Sequence, residues 1–236
     1  MVPRTSVSRA ATWMVALSLC TSSPAFAGQK PKDWGPVIDP ANFVGTVDNP
    51  YFPLVPGRTM RYRADTRSGT ETLQIEVMSS GKTILGVATV VVVETAALNG
   101  LTIEIAENWF AQDREGNVWY FGESTREFEN GVMVSTAGSW EAGVNGARPG
   151  FIMKARPSQG DTYFQEFAAG IAQDMASVIA TDRSATVPYG SFHNVLETKE
   201  WTPLEGNSVE HKSYAPGLGL ILEEKGGTRM QLVEVR

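Results

Sequence analysis

Residues 87–105 read Val-Ala-Thr-Val-Val-Val-Val-Glu-Thr-Ala-Ala-Leu-Asn-Gly-Leu-Thr-Ile-Glu-Ile, and this stretch decides the fold class. It begins with a run rich in β-branched residues and ends with Leu101, Ile103 and Ile105 alternating with polar or small residues, as in a half-buried strand. Asn99-Gly100 lies between the two parts. Because a type I′ turn needs positive φ at both central residues, Asn-Gly is the strongest short-range signal for a hairpin. The stretch therefore predicts two antiparallel strands.

The same pattern continues on both sides of this hairpin. Asn130-Gly131 predicts a second hairpin, and the helix-like spacing of Ile171, Met175, Val178 and Ile179 is confined to 171–179. Further strands are predicted at 57–63, 73–78, 117–121, 161–168, 195–202, 208–215, 218–224 and 228–235. About twelve strands with at most one short helix predict an all-β protein with one antiparallel β domain over 57–236. A barrel, a half-barrel and a strongly curved sheet all satisfy this pattern.

A proline-rich segment precedes the predicted domain. Residues 28–56 contain six of the 13 prolines, and each proline lacks a backbone donor and favours an extended predecessor. Phe43, Tyr51 and Phe52 supply apolar side chains. We therefore predict an N-terminal arm whose second half docks on the domain.

Residues 1–27 have the pattern of a signal peptide. Arg4 and Arg9 precede an apolar stretch that ends at Cys20, and Ala25-Phe26-Ala27 provides the small residues of a cleavage site. The apolar stretch is about half the ~20 residues that cross a bilayer, so no transmembrane segment is expected in the mature chain. The alternative is a lipid anchor on Cys20, which Leu19 disfavours because the lipoprotein peptidase prefers a small residue there. The pattern predicts a periplasmic or secreted protein.

Composition and net charge argue against some classes of binding partner. The chain has 236 residues, 42% hydrophobic and 19% charged, which is typical of a globular protein. Removal of Arg4 and Arg9 leaves 18 basic against 26 acidic residues, a net charge of −8. An acidic chain without a long basic run is a poor partner for nucleic acid or an anionic membrane.

Three short motifs occur in order along the chain. They are Tyr51-Phe-Pro-Leu-Val-Pro-Gly57, Val187-Pro-Tyr-Gly-Ser-Phe192 with Asn194-Val-Leu196, and Tyr214-Ala-Pro-Gly-Leu-Gly-Leu220. In these motifs the sequence resembles a broad group of functionally uncharacterised, secreted bacterial β-rich proteins, which usually carry an aromatic residue where this chain has Met60. The resemblance implies an antiparallel β architecture and an envelope or extracellular location. It implies no catalytic residues.

Motifs for catalysis, cofactors and metals are missing from the sequence. There is no Gly-x-Ser-x-Gly elbow and no phosphate-binding glycine loop, so no catalytic residue and no cofactor is predicted. His193 and His211 are too far apart along the predicted strands to share a metal, and we predict no metal site. One histidine with carboxylates, such as His211 with Glu200 or Glu210, remains an alternative. Strand carboxylates at Glu94, Glu104, Glu107, Glu166 and Glu197 leave open a hydrolase or isomerase.

Large aromatic residues form the most informative cluster. The candidate ligand-binding residues are Trp109, Trp119, Tyr120, Trp140 and Trp201, and pairing across the 113–116 turn is expected to place Trp109 near Trp119 or Phe121. Such side chains fill cores, but they also stack on apolar ligands and on sugar faces. The favoured hypothesis is an exported, non-catalytic protein that binds a small apolar molecule, a glycan or a protein through an aromatic-rich β surface. The alternative is the carboxylate-based hydrolase or isomerase, with a contribution from His211.

Overall fold

The computed structural model describes residues 37–206 and 208–236, so the predicted signal peptide and the first part of the arm lie outside the described residues. The described residues contain one 3-10 turn, Pro40–Asn42, and no α-helix. The strands are β1 (Phe43–Val44), β2 (Thr59–Thr66), β3 (Gly69–Ile84), β4 (Val87–Leu98), β5 (Leu101–Asp113), β6 (Val118–Glu129), β7 (Val132–Ser135), β8 (Trp140–Glu141), β9 (Arg148–Met153), β10 (Thr162–Phe164), β11 (Glu166–Phe167), β12 (Met175–Val187), β13 (Gly190–Trp201), β14 (Val209–Ala215), β15 (Gly219–Lys225) and β16 (Thr228–Val235). The predicted all-β, antiparallel architecture is confirmed.

The strands form one nearly closed, barrel-like sheet. Two antiparallel meanders, β2 to β6 and β12 to β16, are joined where β16 pairs with β2. At the other junction β9 pairs with β11, β12 pairs with β10, and only Gln165 separates β10 from β11. The two ends of the sheet therefore meet at one short stretch of chain.

Turn chemistry agrees with the sequence at both Asn-Gly pairs. Asn99 and Gly100 have φ of 51° and 81°, and Asn130 and Gly131 have φ of 51° and 79°. These values fit the type I′ turn, whose backbone twist matches that of the flanking strands.

The helix-like spacing over 171–179 does not correspond to a helix. Residues from Met175 onward belong to β12, in which Ala176, Val178 and Ala180 point inward and are buried. The inward side chains of this strand are mostly small, so its period of two is hidden in the sequence, whereas Ile179 on the outer face imitates helical spacing.

The predicted register of the aromatic hairpin is also wrong by one residue. Trp109 pairs with Gly122, and Phe110 pairs with Tyr120, so Phe121 is the extra residue of a β-bulge. Because a bulge shifts all later pairs by one position, Trp119 lies opposite Ala111.

The described part of the N-terminal arm packs on the barrel. Phe43 in β1 contacts the rings of Trp119 and Phe121 at centroid distances of 6.1 and 5.5 Å. Asn49 and Gln112 then fix the following turn, because the Gln112 side chain accepts hydrogen bonds from the backbone of Asp48 and Asn49 at 2.9 and 2.8 Å. Among the described residues, no helix has the length and apolar character needed to cross a lipid bilayer.

Candidate functional site

An open groove of about 840 Å³ lies on the outer face of β3 to β6. Val92 and Asn108 are buried on the inner face, so their neighbours Val91 and Trp109 point outward into this groove. Its lining residues are Met78, Ser80, Gly81, Lys82, Val91, Val93, Glu107, Trp109, Glu123, Ser124, Ser139, Trp140, Glu141 and Val144. The volume lies within the range of about 300–1,000 Å³ that is typical of small-molecule sites.

Trp109 is the floor of the groove and Lys82 covers it. The Lys82 ammonium lies 3.4 Å from the centroid of the Trp109 ring, and it forms an ion pair of 2.6 Å with Glu141. Both charged side chains are about one-third exposed, at 37% and 35%, whereas Trp109 is 6% exposed. A small displacement of one flexible lysine would therefore uncover the face of an indole.

Gly122 allows the segment carrying Trp140 and Glu141 to approach the groove. A Cβ atom on Gly122 would lie 2.4 Å from the Trp140 carbonyl oxygen and 3.2 Å from a ring carbon of Trp109. Gly122 also has φ of 136°, which side chains rarely adopt. Only glycine permits this close packing of β8 on β6.

The interior of the barrel contains a second unusual group of side chains, which we call the interior acid cluster. It consists of one lysine and eight acids, Lys212 with Glu94, Glu104, Glu123, Glu166, Asp174, Glu200, Glu210 and Glu223. Lys212 donates to Glu200 at 2.8 Å and lies 3.4 Å from Glu210. Of the described residues, it is the one basic side chain that is fully buried.

Burial changes the acidity of these groups. It raises the pKa of Glu94 to about 7 against the pull of Lys212, and with the charges of Glu94 and Glu127 it raises the pKa of Glu104 to about 8. The pKa of Glu200 is lowered, because Lys212 and the hydrogen bonds it receives outweigh burial. Neutral and ionised carboxyl groups therefore coexist inside the barrel near neutral pH.

The aromatic residues predicted from the sequence fall in three places. Trp109 and Trp140 line the groove, and Tyr120 lies behind Trp140 with ring centroids 5.4 Å apart. Trp119 instead packs against Phe151, 4.1 Å away, and its indole donates to Asp113. Trp201 lies on a distant strand, with the Lys199 ammonium 5.7 Å from its ring.

The structure separates the two predicted partners of His211 from that histidine. His211 pairs with Lys199 and Glu224, is half-exposed, and lies 3.5 Å from Glu197 on the outer face. The side chains of Glu200 and Glu210 point into the barrel toward Lys212. The alternative of His211 acting together with Glu200 or Glu210 is therefore wrong. Within the described ranges, no group of three or more His, Cys, Asp or Glu side chains is arranged to hold a metal ion.

Several site residues were not singled out in the sequence. Lys82 and Glu141 belong to the groove, and Lys212 and Glu223 to the interior acid cluster. A charged residue at an inward position of an alternating strand is the signal that could have identified Lys212, but it requires knowing which face is inward.

Comparisons with known proteins give a weak structural likeness. No protein-family model matches the chain, and no curated protein matches it. Its structure is similar to the crystal structure, at 2.70 Å resolution, of a candidate lipoprotein from Parabacteroides distasonis, with a TM-score of 0.41 and 11% sequence identity. The match covers 79% of this chain and 98% of that one.

Proposed function

We propose that this chain is an exported, non-catalytic protein that binds a glycan in the groove above Trp109. The observation that carries the proposal is the ring of Trp109, which lies at the floor of a groove of about 840 Å³ with the Lys82 ammonium 3.4 Å from its centroid. Aromatic floors stack on the apolar faces of sugar rings, and polar walls fix the hydroxyl groups.

The walls of the groove have the donors and acceptors that a sugar needs. Ser80, Ser124 and Ser139 supply hydroxyl groups, and Glu107, Glu123 and Glu141 supply carboxyl groups. Glu107 and Glu141 are paired with Arg126 and Lys82, and burial raises the pKa of Glu123, so the walls carry little net charge. A neutral, hydroxyl-rich ligand suits this lining better than an ion does.

Binding would exchange one contact for another. The Lys82 side chain would leave the Trp109 ring, a sugar ring would take its place, and the Lys82–Glu141 pair would bond sugar hydroxyl groups at the rim. Since both charges are partly exposed, moving them costs little.

Titration calorimetry with a panel of neutral hexose and N-acetylhexosamine oligosaccharides tests the proposal. We expect saturable binding that Trp109→Leu weakens by about tenfold or more, because the stacking face is lost. Trp201→Leu is the matched control, since it removes a tryptophan outside the groove, and circular dichroism checks the folding of both variants. Absence of binding across the panel, or equal binding by the two variants, would refute the glycan assignment.

Export is proposed on the pattern in residues 1–27. The mature protein is then expected to begin at Gly28, in the periplasm or outside the cell, without a lipid. Mass spectrometry of protein recovered from the cell envelope tests this, and a diacylglyceryl group on Cys20 would replace it with the lipid-anchored alternative.

One observation favours the alternative, a carboxylate-based hydrolase or isomerase. Glu104, with a pKa raised by burial to about 8, and Glu200, with a lowered pKa, provide a proton donor and an ionised acceptor in one interior. Chromatography of glycans recovered after incubation separates the two functions. Intact glycan supports binding alone, whereas a product that Glu104→Gln abolishes would support the enzyme.

A further inference from the structure

An apolar chamber of about 50 Å³ lies inside the barrel, and residues of the first and third sequence motifs line part of it. The Tyr51 hydroxyl donates to the Asn194 carbonyl at 3.2 Å, and the Gly217 backbone donates to Pro50 at 2.7 Å. The first motif is thereby fixed to the other two. Phe52 and Leu54 from the first motif, and Leu218 and Leu220 from the third, line the chamber.

Glu94 is the charged side chain in the lining of this chamber. It is 5% exposed, and its carboxyl group accepts no hydrogen bond from any residue in the described parts of the chain. The hydroxyl groups of the lining tyrosines are engaged elsewhere, because Tyr62 donates to the Leu220 carbonyl at 2.8 Å and Tyr214 donates to Glu200 at 3.2 Å.

An unpaired carboxylate in an apolar chamber is costly. Ionised groups are buried almost only when they are paired, and the nearest buried cation, Lys212, is already held by Glu200 and Glu210. Burial raises the pKa of Glu94 to about 7, so protonation of the carboxyl group removes part of this cost near neutral pH. A cation in the chamber would offset the cost in another way, by pairing with the ionised carboxylate.

We propose that the chamber binds a small alkylammonium ion, with its charged nitrogen on Glu94 and its alkyl group against the apolar wall. Phe110 and Tyr62 add aromatic faces to the lining, and such faces attract a desolvated ammonium group. A water molecule needs about 10–15 Å³ of cavity volume, so a chamber of about 50 Å³ suits a ligand of about four heavy atoms. This site lies inside the barrel, so its test is independent of the glycan proposal for the outer groove.

Titration calorimetry with propylammonium chloride at about pH 8, where Glu94 is mostly ionised, tests the proposal on the purified protein. We expect one saturable site that Glu94→Gln weakens by at least about tenfold, the fold-change expected when a hydrogen bond to a charged group is lost. Asp174→Asn is the matched control, because it neutralises another buried carboxyl group of the interior acid cluster that does not line the chamber. We expect its affinity to stay within about threefold of the wild type.

Two further measurements keep the proposal open to refutation. Val77→Leu adds a methylene group to the chamber wall while keeping Glu94, and it should also weaken binding if the alkyl group occupies the chamber. 1-Propanol, which has the same number of heavy atoms but no charge, should bind more weakly than propylammonium. Failure of propylammonium to bind, equal binding of 1-propanol, or no effect of Glu94→Gln or of Val77→Leu would each overturn the proposal.

Discussion

At the scale of single residues, Lys212 has the largest electrostatic role in the barrel. Its ammonium group pairs with Glu200 at 2.8 Å and with Glu210 at 3.4 Å, and Glu223 lies opposite it on β15. Glu200 therefore depends on one buried cation, whereas Glu210 also pairs with Lys225. Removal of one partner of a buried ion pair leaves an uncompensated charge, which costs more than the pair itself contributes.

We therefore expect Lys212→Met to lower the free energy of unfolding by about 3–5 kcal/mol. Urea denaturation followed by tryptophan fluorescence measures this loss. Lys225→Met is the matched control, because Lys225 also pairs with Glu210 but is 20% exposed, against 6% for Lys212. Equal losses for the two variants would mean that the burial of Lys212 has no special consequence.

At the scale of elements, the contact of β8 with β6 depends on Gly122. A methyl group there would overlap the Trp140 carbonyl at 2.4 Å and the Glu141 Cα at 2.9 Å. Both contacts are with backbone, which cannot move aside as a flexible side chain can. The close contact between the groove wall and the sheet therefore depends on the absence of a side chain at Gly122.

Gly122→Ala is expected to destabilise the protein by about 3 kcal/mol or more and to detach β8 from the groove, since strain and overlap act together. Gly131→Ala measures the backbone strain without the overlap, because Gly131 also has positive φ but has no atom within 4 Å of its added Cβ. Its expected cost is about 1 kcal/mol. Thermal denaturation compares the two, and near-ultraviolet circular dichroism reports the surroundings of Trp140. An unchanged Trp140 signal in Gly122→Ala would contradict this account.

At the scale of the whole molecule, the interior acid cluster makes stability depend on pH. Burial raises the pKa of Glu94 from 4.5 to about 7 and that of Glu104 from 4.5 to about 8. The folded protein therefore holds protons that the unfolded chain releases. This stabilisation is complete below about pH 4.5 and is lost as the pH rises through the folded pKa values. Glu200, with its lowered pKa, acts in the opposite direction on the acid side.

We expect the free energy of unfolding to fall between about pH 5 and about pH 8, by about 1.4 kcal/mol per pH unit for each proton released. Urea denaturation at several pH values and constant ionic strength measures the slope. Glu104→Gln removes one of the titrating groups and should make the slope shallower. A stability that rises across this window would show that the buried carboxyl groups are ionised in the folded protein.

The fold could be predicted from the sequence more completely than the candidate site. Local signals such as Asn99-Gly100 specify turns, and alternation specifies strands, so the antiparallel sheet was predictable. The bulge at Phe121 was missed, because Gly122 within the strand is a local signal for a bulge but does not specify the register, which decides which aromatic side chains share a face. Glu94 and Lys212 lie on strands far apart in the sequence, and only the closed sheet shows that they share one interior.

The two junctions of the barrel also bear on how the chain folds. Within each meander every strand pairs with its neighbour in sequence, so its turns close short loops, whereas Arg61 of β2 meets Glu234 of β16 across 173 residues. Closing long loops is slow, so the meanders are expected to form first and the two junctions last. Until then each meander exposes strand edges that can pair with other chains. Aggregation is thus a hazard of the half-assembled chain, and it ends when the junctions at β2–β16 and Gln165 close.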